Sequence, residues 1–502
     1  MNHFRSPTLA ALVAPLLAVV SAPWITAADG DVSPAVDAHL KALDQEVKDL
    51  KAQIAAGAAN KGTAPASTPG ATQSPEGVSQ TMAQVRANPN DGFLIESADG
   101  SSKFRIGGYV DFDGRFFADD ERDQQAWGTG AANTFLIRHA RPELSATVDN
   151  IFDFRLLAEF APTQNANTNG YAQGPVLYDA FVVARIDPAF AITVGQFKSP
   201  VGLEYLQYSP NNEFVELGLA SQLVPGRDEG AQLSGKLFSG LLFYQVGIFN
   251  GGIDGNANVY SDTNSGKDGE GRIIVSPFHN AGIGWLEDFN IGISGTYGKE
   301  LGSSAAATDA LPSFKTTSQL TFFTYNAAAF ADGEHVRYSP QLYWAAGPFS
   351  TLDEYVVSKQ RVAPTAVGVA SQVDSYVRNS AYQIEFGYVL TGENASYNGV
   401  HPASDVTKGG WGAWELVARF NHLTVGSEAF TAHNGVSDAN PTTSAREAAA
   451  AAVGLNWYLN RNVKLEADYE HTEFKGGGGG TVAAPVDRLN ENLIVVEVQL
   501  AY

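Results

Sequence analysis

The sequence predicts an all-β protein, a transmembrane antiparallel β-barrel of about sixteen strands preceded by a short N-terminal coiled-coil helix. Three observations carry that prediction. Strand-length runs with one apolar and one charged face recur from Gly92 to the last residue. Short and long connections alternate between those runs, and the first thirty residues read as an export signal. The 502 residues contain no cysteine, which removes disulfides and thiolate chemistry. A formal net charge of −22 argues against a nucleic-acid partner, whose phosphates need a basic surface.

The chain divides into four segments. Residues 1–28 carry Arg5, an apolar run from Leu9 to Val20 and the small residues Ala27 and Ala28. That is the layout of a signal peptide, and the run is too short to span a membrane as a helix. In residues 29–57, Val36, Leu40, Leu43, Val47, Leu50 and Ile54 recur at alternating steps of four and three. This is a coiled-coil seam of about three heptads, narrower than the stripe of a helix lying on a domain. Residues 58–91 are rich in Ala, Gly, Ser, Thr and Pro and predict a flexible linker. Residues 92–502 form the barrel.

The barrel strands announce themselves by a period of two. In KFRIGGYVDFDGRFF, Phe104, Ile106, Val110, Phe112 and Phe116 alternate with Lys103, Arg105, Asp111, Asp113 and Arg115. IFDFRLLAEF and NVKLEADYEHTEF repeat the pattern. Charges at successive positions of one face cannot enter a dry core, so that face needs water and the opposite one an apolar medium. A sheet solvated on one side would also fit, but little helix-period sequence remains to cover some four hundred residues of it. Turns near Asp149, Asp187, Ser239 and Asn460 are tight, whereas other connections are long and rich in Gly, Asn, Asp and Ser. The closing run ENLIVVEVQLAY sets Ile494, Val496, Val498 and Leu500 against Val495, Glu497, Gln499 and Ala501. It ends on Tyr502, a residue suited to an interfacial aromatic girdle.

Four stretches, GYVDFDGRFF, GQFKSPVGLEYL (195–206), YVLTGENASYNG (388–399) and GGWGAWELVARF (409–420), resemble the phosphate-selective porins of the O and P family. The resemblance covers residues 92–502 in order. It implies a sixteen-stranded homotrimer in the outer membrane of a Gram-negative bacterium, and a channel for small anions with phosphate or polyphosphate as cargo. It also implies that the last strand is read by the barrel-assembly machinery, usually through Phe where this chain has Tyr502. Such porins use neither catalysis nor a cofactor, and some carry an N-terminal coiled coil.

By position, the connection beginning SPVGLEYLQYSPNNEF resembles the third surface loop, which narrows these barrels. The family leads one to expect a basic ladder here. This segment offers Arg227, flanked by Lys198 and Lys236, together with Glu204, Glu213, Glu216, Asp228 and Glu229. These three cations, with Arg105, Arg115, Arg141 and Arg155 on the predicted lumen faces, are the candidate anion contacts, because cationic rings select anions. Residues 91–502 carry 26 basic and 47 acidic side chains, so pairing across the wall is the competing role for each cation. Asp262, Asn264, Asp268 and Glu270 suggest a calcium loop but lack the EF-hand order. No histidine pair has metal-ligand spacing, and no nucleophile or phosphate-loop motif appears. The alternatives to an anion pore are a non-specific diffusion porin, a barrel enzyme with a Ser, His and acid cluster, and a closed surface anchor.

Overall fold

The computed structural model describes residues 84–88, 92–118, 131–161, 175–255, 265–302, 310–364, 374–432 and 435–502. The signal peptide, the coiled-coil seam and most of the linker lie outside the described residues. Sixteen strands form the wall. They are β1 (Lys103–Phe117), β2 (Thr134–Val148), β3 (Phe152–Glu159), β4 (Val176–Asp187), β5 (Phe190–Lys198), β6 (Arg227–Leu237), β7 (Leu242–Phe249) and β8 (Asp268–Val275). Then follow β9 (Asp288–Leu301), β10 (Ala329–Ala346), β11 (Phe349–Pro364), β12 (Ser375–Val389), β13 (Ala413–Thr424), β14 (Ala445–Tyr458), β15 (Val463–Thr481) and β16 (Glu491–Ala501). Each pairs antiparallel with its neighbour, and β16 pairs with β1 from Tyr109↔Ala501 to Phe117↔Leu493. The sheet is therefore closed and has no free edge within the wall. The described residues contain no α-helix.

The backbone of Tyr502 completes the closing seam. Tyr502 N donates to Gly108 O at 2.8 Å, and Gly108 N donates back to Tyr502 O at 2.8 Å. Gly108 has φ +140°, and a Cβ there would lie 2.3 Å from Arg141 O, so only glycine fits the seam. Below this point β1 pairs instead with strand Gly92–Glu96, which in turn pairs with Gln84–Asn88. The Phe93 and Tyr502 rings meet edge to face at 6.4 Å.

The burial pattern inverts that of a soluble protein. On β1, Ile106, Val110 and Phe112 are exposed while Asp111, Asp113 and Arg115 are buried. An exposed apolar wall needs lipid beside it. One end carries the short turns 149–151, 188–189, 238–241, 347–348 and 459–462, and the other carries long connections. In outer-membrane barrels the short-turn end is periplasmic. An aromatic belt marks that end: Trp414 stacks on Trp457 at 4.7 Å, and Trp344 meets Trp285 at 6.0 Å. Four of these tight turns are those expected from the sequence, and 347–348 is an addition. The long segment 390–412 joins β12 to β13 at the same end, and it is folded rather than open, with Ala395 and Val400 buried against Val389, Ala413 and Tyr458.

The lumen is not empty. Residues 199–226 and 310–328 both contribute side chains to its interior. Leu219, Leu223 and Val224 of the first pack with Phe314, Phe322 and Phe323 of the second. The cluster continues onto the inner faces of β11–β15 through Val356, Val377, Ala381, Leu423, Ala448, Ala450 and Phe474. The alanine run of β14 now has a reason, because small inward side chains leave room for the packed loops. This apolar plug covers the β11–β15 wall and leaves space against β1–β6.

Candidate transport pathway

The inward loop 199–226 is tied down by hydrogen bonds that reach half the barrel. Leu203 N donates to Glu354 on β11 at 2.8 Å, Leu219 N to Asn421 on β13 at 3.3 Å, and Val215 N to Asp468 on β15 at 2.9 Å. From the wall, Lys464 Nζ donates to Asn212 O at 2.9 Å and Asn456 to Glu213 O at 2.8 Å. Arg419 donates to Glu204 Oε1 at 3.0 Å and to Glu216 O at 2.9 Å. The folded turn 390–412 props the loop from the periplasmic side, where Tyr397 OH donates to Leu203 O at 2.6 Å. Hydrogen bonds to charged groups contribute more than neutral ones, so these ties hold the loop across the lumen.

The acids of the loop are consumed by this docking. Glu204 is buried and accepts from Arg419, Ser221 Oγ and Gly218 N. Glu216 accepts from Arg115 at 2.5 Å and from Arg138 at 2.5 and 2.9 Å. Burial pushes its carboxyl up, but the Arg138 and Arg115 charges outweigh that and hold it at about 2. Glu213 moves the other way, since burial and then the Glu415 charge push it up to about 8, which leaves it neutral at pH 7. Asp228 accepts from Glu229 N and Gly251 N, each at 2.7 Å. Glu229 lies on the outer side of β6, outside the lumen. Five acids counted in the sequence thus supply little free negative charge to the passage.

Three cavities with shared lining residues follow one another through the lumen, the first between Arg105 of β1 and the periplasmic ends of β14–β16, the other two along β1–β6. The periplasmic one, about 300 Å³, is lined by Arg105, Tyr208, Arg461, Lys464 and Tyr502. The next, about 230 Å³, shares Tyr208 and adds Tyr109, Arg155, Asp179, Lys198 and Arg227. The outer one, about 520 Å³, shares Lys198, Ser209 and Arg227 and adds Arg138, Arg141, Tyr178 and Lys315. Asp111, Glu466 and Glu497 line the same outer cavity, giving it one acidic flank.

The predicted cations divide into two groups. Arg227 donates to Asp179 at 2.5 Å, with its guanidinium 4.7 Å from the Tyr178 ring. Arg141 donates to Glu159 at 2.7 Å and to Tyr109 OH, and Arg155 to Glu143 at 2.8 Å. Arg115 binds Asp113 at 3.0 Å as well as Glu216, so it braces the loop. By contrast, Lys198 has no carboxylate within ion-pair distance among the described residues. Its Nζ donates to Tyr205 O and Gln207 O, both at 2.6 Å, beside the Tyr205 ring at 4.9 Å. Arg105 likewise forms no ion pair among the described residues and lines the periplasmic mouth. Lys236 departs from expectation. It lies near the periplasmic turn 238–241, in a separate cavity with Phe243 and Arg272, because its place on β6 is nine residues from Arg227 at the loop end.

Several lumen-side cations carry no signal in the sequence pattern, Arg138 and Lys315 of the outer cavity among them. Arg138 neighbours His139 at a register shift between β1 and β2, which breaks the parity used to assign inward faces. Lys315 lies in the middle stretch that alternation did not parse, and it forms no ion pair among the described residues. Burial, followed by the nearby Arg138 charge, lowers its pKa. The calcium reading gains nothing: Asp268 and Glu270 are inward strand residues, with Asp268 3.5 Å from Arg337 and Glu270 accepting from Ser199 at 2.5 Å. Asp262 and Asn264 lie outside the described residues. No group of three or more metal-ligating side chains occurs among the described residues.

A closed barrel of sixteen strands, apolar outside and charged within, whose lumen is narrowed by an inserted loop, is an outer-membrane porin of the Gram-negative type. The chain matches the model for the phosphate-selective porin O and P family over residues 110–501, and it belongs to that family. Porin O of Pseudomonas aeruginosa PAO1 is 22% identical over 421 residues, covering 77% of this chain and 86% of Porin O. Among solved structures, the outer membrane channel DcaP of Acinetobacter baumannii aligns with a TM-score of 0.48 at 9% identity, over 80% of this chain and 98% of DcaP. An anion-selective porin from Comamonas acidovorans aligns with a TM-score of 0.47 at 11% identity, over 80% of this chain and all of that one. Family and fold point to a channel rather than an enzyme.

Proposed function

We propose that the protein is a trimeric porin through which small anions, inorganic phosphate among them, diffuse across the outer membrane with a modest preference over cations. The observation that carries this reading is the series Arg105, Lys198 and Lys315, one in each of the three successive cavities and none in an ion pair among the described residues. The acids of the inward loop are neutral or spent in docking. A cation in a narrow, partly desolvated passage acts at lower effective dielectric than charges on outer loops, which salt screens within about 8 Å. The Arg141, Arg155 and Arg227 guanidinia are paired, so the passage lacks a run of free guanidinia and strong phosphate specificity is not expected. The acidic flank of Asp111, Glu466 and Glu497 favours a second reading, a weakly selective diffusion porin with opposed charges across its lumen.

The zero-current potential of reconstituted channels in a KCl gradient separates the two. The proposal expects anion preference in the parent, reduced in Lys198→Gln and reversed in Lys198→Gln/Lys315→Glu, with current appearing in groups of three equal steps. Cation preference in the parent, or no shift in the double variant, supports the second reading.

A further inference from the structure

Lys359 on β11 and Arg378 on β12 stand directly opposite each other. Both point away from the lumen, since the alternate positions Ser358, Gln360, Val377 and Asn379 are the buried, inward ones. Like charges opposed on one sheet face repel, and a lipid-facing wall is a costly place for them. Neither residue forms an ion pair among the described residues. Instead Lys359 Nζ lies 4.3 Å from the Tyr376 ring centroid, and Arg378 Nη2 donates to Tyr338 OH at 3.0 Å. Of the acids on the same outer face, Asp374 is bound to Arg361, and Glu334 stands opposite Lys299 in the register.

The height of the pair identifies what surrounds it. Ten residues below it on both strands, Phe349 stands opposite Tyr388, beside Trp344 in the periplasmic aromatic belt. Ten residues at about 3.3 Å each, on strands tilted by about 40°, rise about 25 Å. That matches an apolar band about 25 Å tall, so the pair sits at the outer headgroup level. An anionic group there relieves the repulsion between the two cations, and a phosphate suits a guanidinium by accepting two parallel hydrogen bonds.

We propose that the outer wall of β10–β12 is a binding site for the phosphate of an outer-leaflet glycolipid, held between Lys359 and Arg378 and flanked by Tyr338 and Tyr376. The test is retention of a diphosphorylated glucosamine lipid (lipid A) by the purified full chain in detergent, read by native mass spectrometry. Lys359→Gln/Arg378→Gln is expected to retain it about tenfold less, and Arg378→Lys to an intermediate degree. The parent should bind enzymatically dephosphorylated lipid as weakly as the double variant binds the intact one. Lys299→Gln, on the outer face of β9, should bind as the parent does, and millimolar inorganic phosphate should not displace the lipid. Unchanged single-channel conductance checks that each variant folds, because neither cation faces the lumen. Equal retention by the folded double variant, or equal binding of the dephosphorylated lipid, overturns the proposal. Displacement by free phosphate also overturns it, and makes the pair a site for soluble anions.

Discussion

Glu216 is an acid on the loop that narrows the lumen, yet it adds no free negative charge there, because Arg115 and Arg138 enclose it. Its opposite is Glu213, which burial and Glu415 keep protonated. The two respond to pH with opposite signs. Glu216, held near 2, contributes fully above its ordinary value of 4.5, and that contribution is lost as the pH falls from there towards 2. Glu213, raised to about 8, contributes fully below 4.5 and loses its contribution as the pH rises through 8. Hydrogen exchange at Val215 N and Gly218 N should therefore be slowest, after correction for intrinsic rate, near pH 4 to 5 and faster on both sides. Glu213→Gln should reduce the alkaline limb and leave the acid limb unchanged. Glu216→Gln leaves Arg138 without its carboxylate and Arg115 with Asp113 alone, and should weaken loop docking by about 3 kcal/mol. Protection that rises steadily from pH 5 to 8 in the parent contradicts these assignments.

At the level of elements, what the sequence disclosed and what it hid follow from periodicity. A strand between lipid and water must alternate, so β1, β3, β15 and β16 were legible from their side chains alone, as was the closure at Tyr502. Bulges defeat the same argument, as at Arg138, and so does a loop folded inside a barrel. Phe314 and Phe322 lie in a stretch without period, and nothing local says that Leu219 and Leu223 lie beside them. The alanines of β14 were visible as a run, but their purpose depends on a loop more than two hundred residues away. Charge counting failed for the same reason, since partners such as Glu204 and Arg419 meet only in the fold. The plug is nonetheless testable. Phe322→Ala removes a fully buried ring and should cost about 3 kcal/mol of packing. Because the plug narrows the lumen, single-channel conductance should rise and become noisier. Unaltered conductance with the barrel intact would show that the plug does not limit the pore.

Across the whole molecule, an apolar outer wall, two inserted loops and a folded periplasmic turn leave the β1–β6 side as the route through the barrel. The net charge of −22 does not describe this route, whose cations outlast their pairing at Arg105, Lys198 and Lys315. The absence of cysteine from the chain allows a direct test of where ions pass. Ser209 lines both the middle and the outer cavity, whereas Ala450 is buried in the plug against the opposite wall. The decisive measurement is single-channel current through Ser209→Cys and Ala450→Cys before and after a negatively charged methanethiosulfonate reagent. The current through Ser209→Cys should fall sharply and recover on reduction, and that through Ala450→Cys should not change. Block at Ala450→Cys with none at Ser209→Cys would place the pathway on the other side of the barrel and contradict the account.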